Sequence, residues 1–70
     1  MDIGGFKERI KNMTVFELAE EIVRLDEWRE NIYMNDSLTA HDWEEIDQIT
    51  QAIRLAKLRF DDLGGNVNEV

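Results

Sequence analysis

His41, the only histidine of the chain, is the first residue that could do chemistry, because Glu44 and Glu45 follow it at helical spacing. An imidazole beside two carboxylates could bind a metal ion weakly. Structural and catalytic zinc sites, however, usually bring together three or four protein ligands. The Glu-x-x-His pairs that build di-iron sites in helical bundles are also absent from the sequence. The pattern therefore predicts no metal site.

Groups that could attack a substrate are equally scarce. The sequence has no cysteine and no glycine-rich phosphate loop, and Ser37 has only a loop setting. A fold of two long helices would also offer little concavity to a substrate. We expect a non-enzymatic protein with no catalytic residue and no cofactor.

Other absences concern the compartment. The lack of cysteine fits a reducing cytosol, and no apolar run approaches the roughly 20 residues of a membrane span. The first residues also lack the basic and apolar regions of a signal peptide. We expect a cytoplasmic protein that does not contact a membrane.

Charge is the strongest chemical signal in the sequence. The net charge is −8; residues 14–34 carry −4 and residues 35–49 carry −5, whereas residues 1–13 and 50–63 each carry +1. Because affinity for a phosphate backbone comes from Lys and Arg, we expect no direct binding to nucleic acid.

Carboxylates on a rigid helix could instead resemble a row of phosphates and attract a protein with a basic groove. The alternative is that they are merely solvated, which is the commonest fate of charges on helices. The candidate acidic face consists of Glu17, Glu20, Glu27, Asp42, Glu44, Glu45 and Asp47.

Two apolar ladders predict the elements that would position these side chains. Their alternating spacings of three and four residues are typical of helices that pack along one seam, and an antiparallel reading pairs Leu25 with Ile53. We expect a hairpin of helices over 15–34 and 40–63. The ladders are Val15, Leu18, Ile22, Leu25, Arg29 and Ile32, and then Ile46, Ile49, Ile53, Ala56, Phe60 and Leu63.

Polar residues mark the ends of both helices. Thr14 with Glu17 forms a capping box, and Thr39 with Asp42 forms a second one with a shorter acid. Gly64, followed by another glycine, offers the left-handed backbone that ends a helix.

A third, shorter helix is expected over 3–13, where apolar residues recur at the same spacing despite two glycines. Phe16, Ala19 and Val23 fall on one flank of the first long helix and would be its natural bed. The predicted fold is all-α, a single domain over 1–70 with residues 64–70 as a flexible tail.

Arg29 occupies a seam position that an apolar residue would fill better. Its stem could pack while the guanidinium reaches toward Asp26 or Glu45, or the residue could bind a partner.

Several large apolar residues lie partly or wholly off the seam. Trp28, Tyr33, Met34 and Trp43 could close the loop end against each other or form a dimer or partner surface. Leu55 and Leu58 could be covered by the N-terminal helix, by a second subunit or by a target. We expect a two-fold antiparallel homodimer, since a hairpin of this size has a marginal core. The candidate apolar contacts are Trp28, Tyr33, Trp43, Leu55 and Leu58.

From Phe6 to Leu58 the order of these signals resembles the Hha/YmoA family of small helical nucleoid-associated regulators. This resemblance implies an all-helical protein that docks on a nucleoid-structuring protein and modulates transcription. The chain departs from the family in its longer first long helix, its more acidic surface and the lack of a further helix after Leu63. The matching residues are Phe6, Arg9, Ile10, Thr14, Leu18, Ile22, Leu38, Thr39, Trp43, Ile46, Arg54, Leu55, Ala56 and Leu58.

The sequence thus favours a small acidic binding protein, of the kind that phages and plasmids use to inhibit or retune a host protein. It would occupy a basic or nucleic-acid-binding surface of that protein by nucleic-acid mimicry. Two alternatives remain, an Hha-like accessory transcription regulator that acts as a protein-protein adaptor and a purely structural dimerising hairpin.

Overall fold

The computed structural model describes residues 2–65, which form three α-helices and no strand. Helix α1 spans Ile3–Ile10, α2 spans Val15–Tyr33 and α3 spans Ala40–Asp62. The predicted all-α class is confirmed. Residues 66–70, the greater part of the predicted flexible tail, lie outside the described residues.

Both long helices begin at the predicted capping boxes. The Thr14 hydroxyl accepts the Glu17 N–H at 3.2 Å, and the Glu17 carboxylate accepts the Thr14 N–H at 2.9 Å. The corresponding distances between Thr39 and Asp42 are 3.2 and 3.0 Å. The shorter Asp42 side chain therefore closes its box as well as Glu17 does, and each box satisfies two backbone donors at a helix start.

This cap predicts a pH effect. The hydrogen bond with the backbone of Thr39 is the main cause that holds the pKa of Asp42 below its ordinary value of 3.8, and the hydrogen bond with the Thr39 side chain is the second. A carboxylate whose pKa is lowered in the folded protein stabilises the fold fully at pH values above its ordinary pKa. This stabilisation is lost as the pH falls through the lowered pKa. Urea midpoints measured at about pH 5 and about pH 2.5 should therefore differ less in Asp42→Asn than in the parent.

Asp62→Asn is the matched control for this prediction, because Asp62 is exposed and forms no capping box. If Asp42→Asn and Asp62→Asn change the pH dependence equally, the capping carboxylate contributes nothing of its own.

Helix α3 ends in a glycine motif. The N–H of Gly65 donates to the Phe60 carbonyl at 2.9 Å and that of Gly64 to the Asp61 carbonyl at 3.0 Å. Gly64 has φ +83°, where a Cβ atom would be strained. Leu63, the last residue of the predicted ladder, lies at this cap and remains 39% exposed, so the buried seam ends at Phe60.

The core lies between α2 and α3, which pack against each other along the predicted seam. Leu18 and Ile49 are completely buried. Arg29 Nη1 donates to Thr50 Oγ1 at 3.1 Å, one residue from the pairing that the antiparallel ladders predict. Its Nη2 lies 2.8 Å from Asp26 Oδ1, so the predicted contact with Asp26 is present. The buried apolar residues are Phe6, Ile10, Leu18, Leu25, Ile32, Ile46, Ile49, Ala52, Ile53, Ala56 and Phe60.

Helix α1 packs mainly against α3. The predicted bed on α2 is therefore wrong: Phe16 is 83% exposed and Val23 57%, and only Ala19 is partly buried. Fully buried Ala52, which the seam does not include, indicates that the neighbouring side of α3 is covered. Arg59 on α3 also contacts the end of α1.

Polar contacts hold α1 in place. Arg9 Nη2 pairs with Glu21 Oε1 on α2 at 2.9 Å, and its guanidinium carbon lies 5.3 Å from the centre of the Phe6 ring. Arg59 Nη2 donates to the Lys11 carbonyl at the end of α1 at 3.2 Å. α1 is thus attached to both helices of the hairpin, although its apolar contacts are mainly with α3.

Candidate protein-binding surfaces

The fold gathers the negative charge at one end of the molecule. Residues 26–49 contain eight carboxylates and one arginine, a net charge of −7, whereas the rest of residues 2–65 has seven acids and seven bases. The chain turns back between α2 and α3, so the two arms of residues 26–49 lie side by side at the loop end of a molecule 39 Å long. We call this half of the hairpin the acidic end.

The predicted acidic face is not a single surface. Because α2 and α3 face each other across the seam, outward positions such as Glu27 and Glu44 point in opposite directions. Glu20 lies outside the acidic end, and Glu17 and Asp42 are engaged in capping boxes. The free carboxylates form a belt around the acidic end: Glu27, Glu30, Asp36, Glu44, Glu45 and Asp47.

The belt has no internal compensation. Among the described residues, the acidic partners in ion pairs are Glu8, Glu21 and Asp26, none of which belongs to it. The Lys and Arg side chains in these ion pairs therefore do not neutralise the carboxylates of the belt.

Sequence reasoning did not include Glu30 and Asp36 in the acidic face, and it missed the burial of Glu21, which is only 8% exposed and lies between Arg9 and Arg24. Its position one helical turn after Leu18 places it at the edge of the seam and could have indicated its burial.

Large apolar side chains lie among these carboxylates. Tyr33 and Trp43 meet edge to face, with ring centres 6.2 Å apart and planes at 73°. Yet they remain 49% and 52% exposed, and Trp28 and Met34 are 39% and 78% exposed. Closing the loop end thus uses only part of this apolar surface. Aromatic residues with a polar rim are typical of protein interfaces.

The structure separates the two leucines that lie outside the seam. Leu55 is partly buried and packs on the core, whereas Leu58 is 58% exposed. Leu58 lines a shallow groove between α2 and α3 together with Arg29, Thr50, Arg54 and Lys57. This groove and the acidic end are the two candidate surfaces.

Residues 2–65 contain no group of three or more His, Cys, Asp or Glu side chains arranged to hold a metal ion, and His41 is exposed. Within the same residues, no helix has both the length and the apolar character needed to cross a bilayer.

Comparison with known proteins returned no match to a family model, to a curated protein or to a solved structure.

Proposed function

We propose that this chain is a small non-enzymatic binding protein that uses its acidic end to occupy a basic surface of a target protein in the cytoplasm. The mode of action resembles that of the inhibitors and modulators that phages and plasmids direct at host proteins. The observation that carries the proposal is a net charge of −7 gathered around half-exposed aromatic rings, on a molecule whose other half is neutral.

The density of this charge suggests which basic surface is suitable. The acidic end covers about half of the 39 Å long axis, or about 20 Å, which gives about one net charge per 3 Å. A single nucleic acid strand carries one phosphate per about 3.4 Å, and a duplex carries twice that density. Along its axis the acidic end therefore has about the net charge density of one phosphate backbone, with the charges distributed around it. A groove built for one strand would attract it.

The carboxylates and the apolar side chains have different roles in such a complex. Charges at the rim of an interface mainly accelerate association, and salt screens them over about 10 Å. Buried aromatic residues supply much of the contact energy. Trp28 and Met34 are exposed at the acidic end and can fill this second role.

Neutralising Glu27, Glu44 and Glu45 to glutamine should weaken target binding about tenfold or more at low salt, because it removes rim charges without changing side-chain shape. Targets would first be captured from a lysate of the native host on the immobilised chain. The affinity and association rate of the purified target would then be measured at about 50 and about 300 mM salt. The affinity of the parent should fall steeply as the salt concentration rises, mostly because association becomes slower. The affinity of the variant should fall less over the same range.

The control variant carries Asp2→Asn, Glu8→Gln and Asp62→Asn, which lie outside the acidic end. Both variants change the net charge from −8 to −5, so only the location of the charge differs. Equal losses in the two variants would show that overall charge is responsible. No loss in either would show that the belt is merely solvated.

An Hha-like adaptor is the second candidate, and one observation favours it. Phe16 and Val23 are exposed on the outer side of α2, where they offer a partner apolar contacts outside the acidic end. This candidate predicts the reverse ranking. Replacing Phe16 and Val23 by serine would abolish target capture, and neutralising the belt would have little effect.

A further inference from the structure

Among residues 2–65, nothing covers the side of the hairpin opposite α1. Ile53 faces α2, and its two neighbours in the sequence lie on either side of it around α3. The fully buried Ala52 lies on the side of α3 that faces α1, and Arg54 lies on the side away from α1. Arg54 and Leu58 are exposed there and line the groove between α2 and α3. This open side is therefore available to an additional helix.

The groove has the opposite charge to the molecule as a whole. Three cations, Arg29, Arg54 and Lys57, and one carboxylate, Asp61, line it. Within residues 2–65, Arg54 and Lys57 form no ion pair, and Leu58 beside them is 58% exposed. A suitable occupant would present carboxylates next to apolar side chains, so that both the cations and the leucine gain partners.

The chain itself carries such a surface on the same side of α3. Trp43 and Asp47 precede Arg54 and Leu58 at spacings that keep all four on one stripe of the helix, and all four are exposed. Tyr33 widens the apolar part through its contact with Trp43. One half of the stripe is thus aromatic and acidic, and the other half is aliphatic and basic.

The spacing makes this stripe complementary to itself. Trp43 and Leu58 are equally far, about 11 Å, from the point midway between Thr50 and Gln51, and Asp47 and Arg54 are both about 5 Å from it at 1.5 Å per residue. A two-fold axis through this point, perpendicular to α3, would place each Trp43 opposite a Leu58 and each Asp47 opposite an Arg54. Such an arrangement is an isologous interface.

We propose that two copies of this chain pair through the stripe Trp43, Asp47, Arg54 and Leu58, with their α3 helices antiparallel. The pairing covers the exposed leucine with an aromatic residue and gives Arg54 a carboxylate partner. It also places the two acidic ends at opposite ends of the dimer, which separates the largest charges. This assignment does not depend on the proposed function, since it concerns the free protein.

Charge reversal tests the pairing and its register. Asp47→Arg puts two cations opposite each other at both symmetry-related sites, and Arg54→Asp puts two carboxylates there. Sedimentation equilibrium between about 1 and 500 μM should show a dimer for the parent and dimerisation about tenfold weaker or more for each single variant. The double variant Asp47→Arg/Arg54→Asp should dimerise like the parent. An equimolar mixture of the two single variants should form a heterodimer.

Asp62→Arg and Lys7→Asp are the matched controls, because they make the same charge changes at exposed residues outside the stripe. They should leave the dimer unchanged, and circular dichroism would verify that each variant keeps its helices. A parent that stays monomeric throughout the concentration range overturns the proposal. So does a double variant that dimerises as weakly as the single variants, or a control that weakens the dimer equally.

Discussion

Leu18→Ala should lower the free energy of unfolding by about 2 to 5 kcal/mol. The Leu18 side chain is completely buried in the seam, and its truncation leaves a cavity that the packed neighbours fill only in part. Domains of this size have only about 4 to 10 kcal/mol of stability, so the variant should unfold at a much lower urea concentration. Urea denaturation followed by circular dichroism measures the change.

Phe16→Ala is the matched control for this prediction. Phe16 is the larger residue and lies on the same turn of α2, but it is 83% exposed. Its truncation should therefore change stability by no more than about 0.5 kcal/mol. The sequence pattern predicts that Phe16 lies under α1. Truncating a phenylalanine that is covered in this way would lower the free energy of unfolding by about 3 to 5 kcal/mol. A loss of that size would place α1, or a second molecule, on this side of α2.

Phe6→Ala should cost about 3 to 5 kcal/mol, the second large effect. Phe6 is 4% exposed and anchors α1, and the guanidinium of Arg9 lies over its ring while it reaches Glu21. Removing the ring deprives α1 of both its apolar contact and the support of that ion pair. The urea midpoint should fall with little change in the slope of the transition, since α1 and the hairpin are expected to unfold together.

Lys7→Ala is the control for Phe6, because Lys7 is exposed on the same helix. It should change stability by less than about 0.5 kcal/mol. A small loss for Phe6→Ala together with a lower slope would contradict the prediction. It would mean that α1 detaches on its own while α2 and α3 stay folded.

The hairpin was predictable because its determinants are local in sequence. The spacing of Leu18 and Leu25 defines one apolar stripe, and that of Ile46 and Ile53 defines the other, whatever the rest of the chain does. The capping boxes were predictable for the same reason, since a threonine and an acid three residues later meet within one helical turn.

The position of α1 was not predictable from spacing alone. Two surfaces were available to an apolar helix. One is the flank of α2 that carries Phe16 and Val23, and the other is the side of α3 that includes Ala52. Spacing shows that α1 has an apolar side, but steric fit selects its neighbour. An alanine gives little signal in an apolar pattern, although here Ala52 is fully buried.

The candidate surfaces were predictable as residue types but not as arrangements. The acidic residues were evident from composition, and Trp43 and Leu58 from their positions off the seam. That Glu17 and Asp42 serve as caps follows from short-range geometry. That Glu27 and Glu44 point in opposite directions follows only from the packing of α2 against α3.

The sequence by itself determined the two long helices, their ends and the seam between them, because helix periodicity and capping act over a few residues. Only the tertiary structure decided that α1 lies on α3, that Glu21 is buried between two arginines, and that the carboxylates form a belt and not a single face. These features depend on which distant residues become neighbours, and competition for space in the packed core makes that choice.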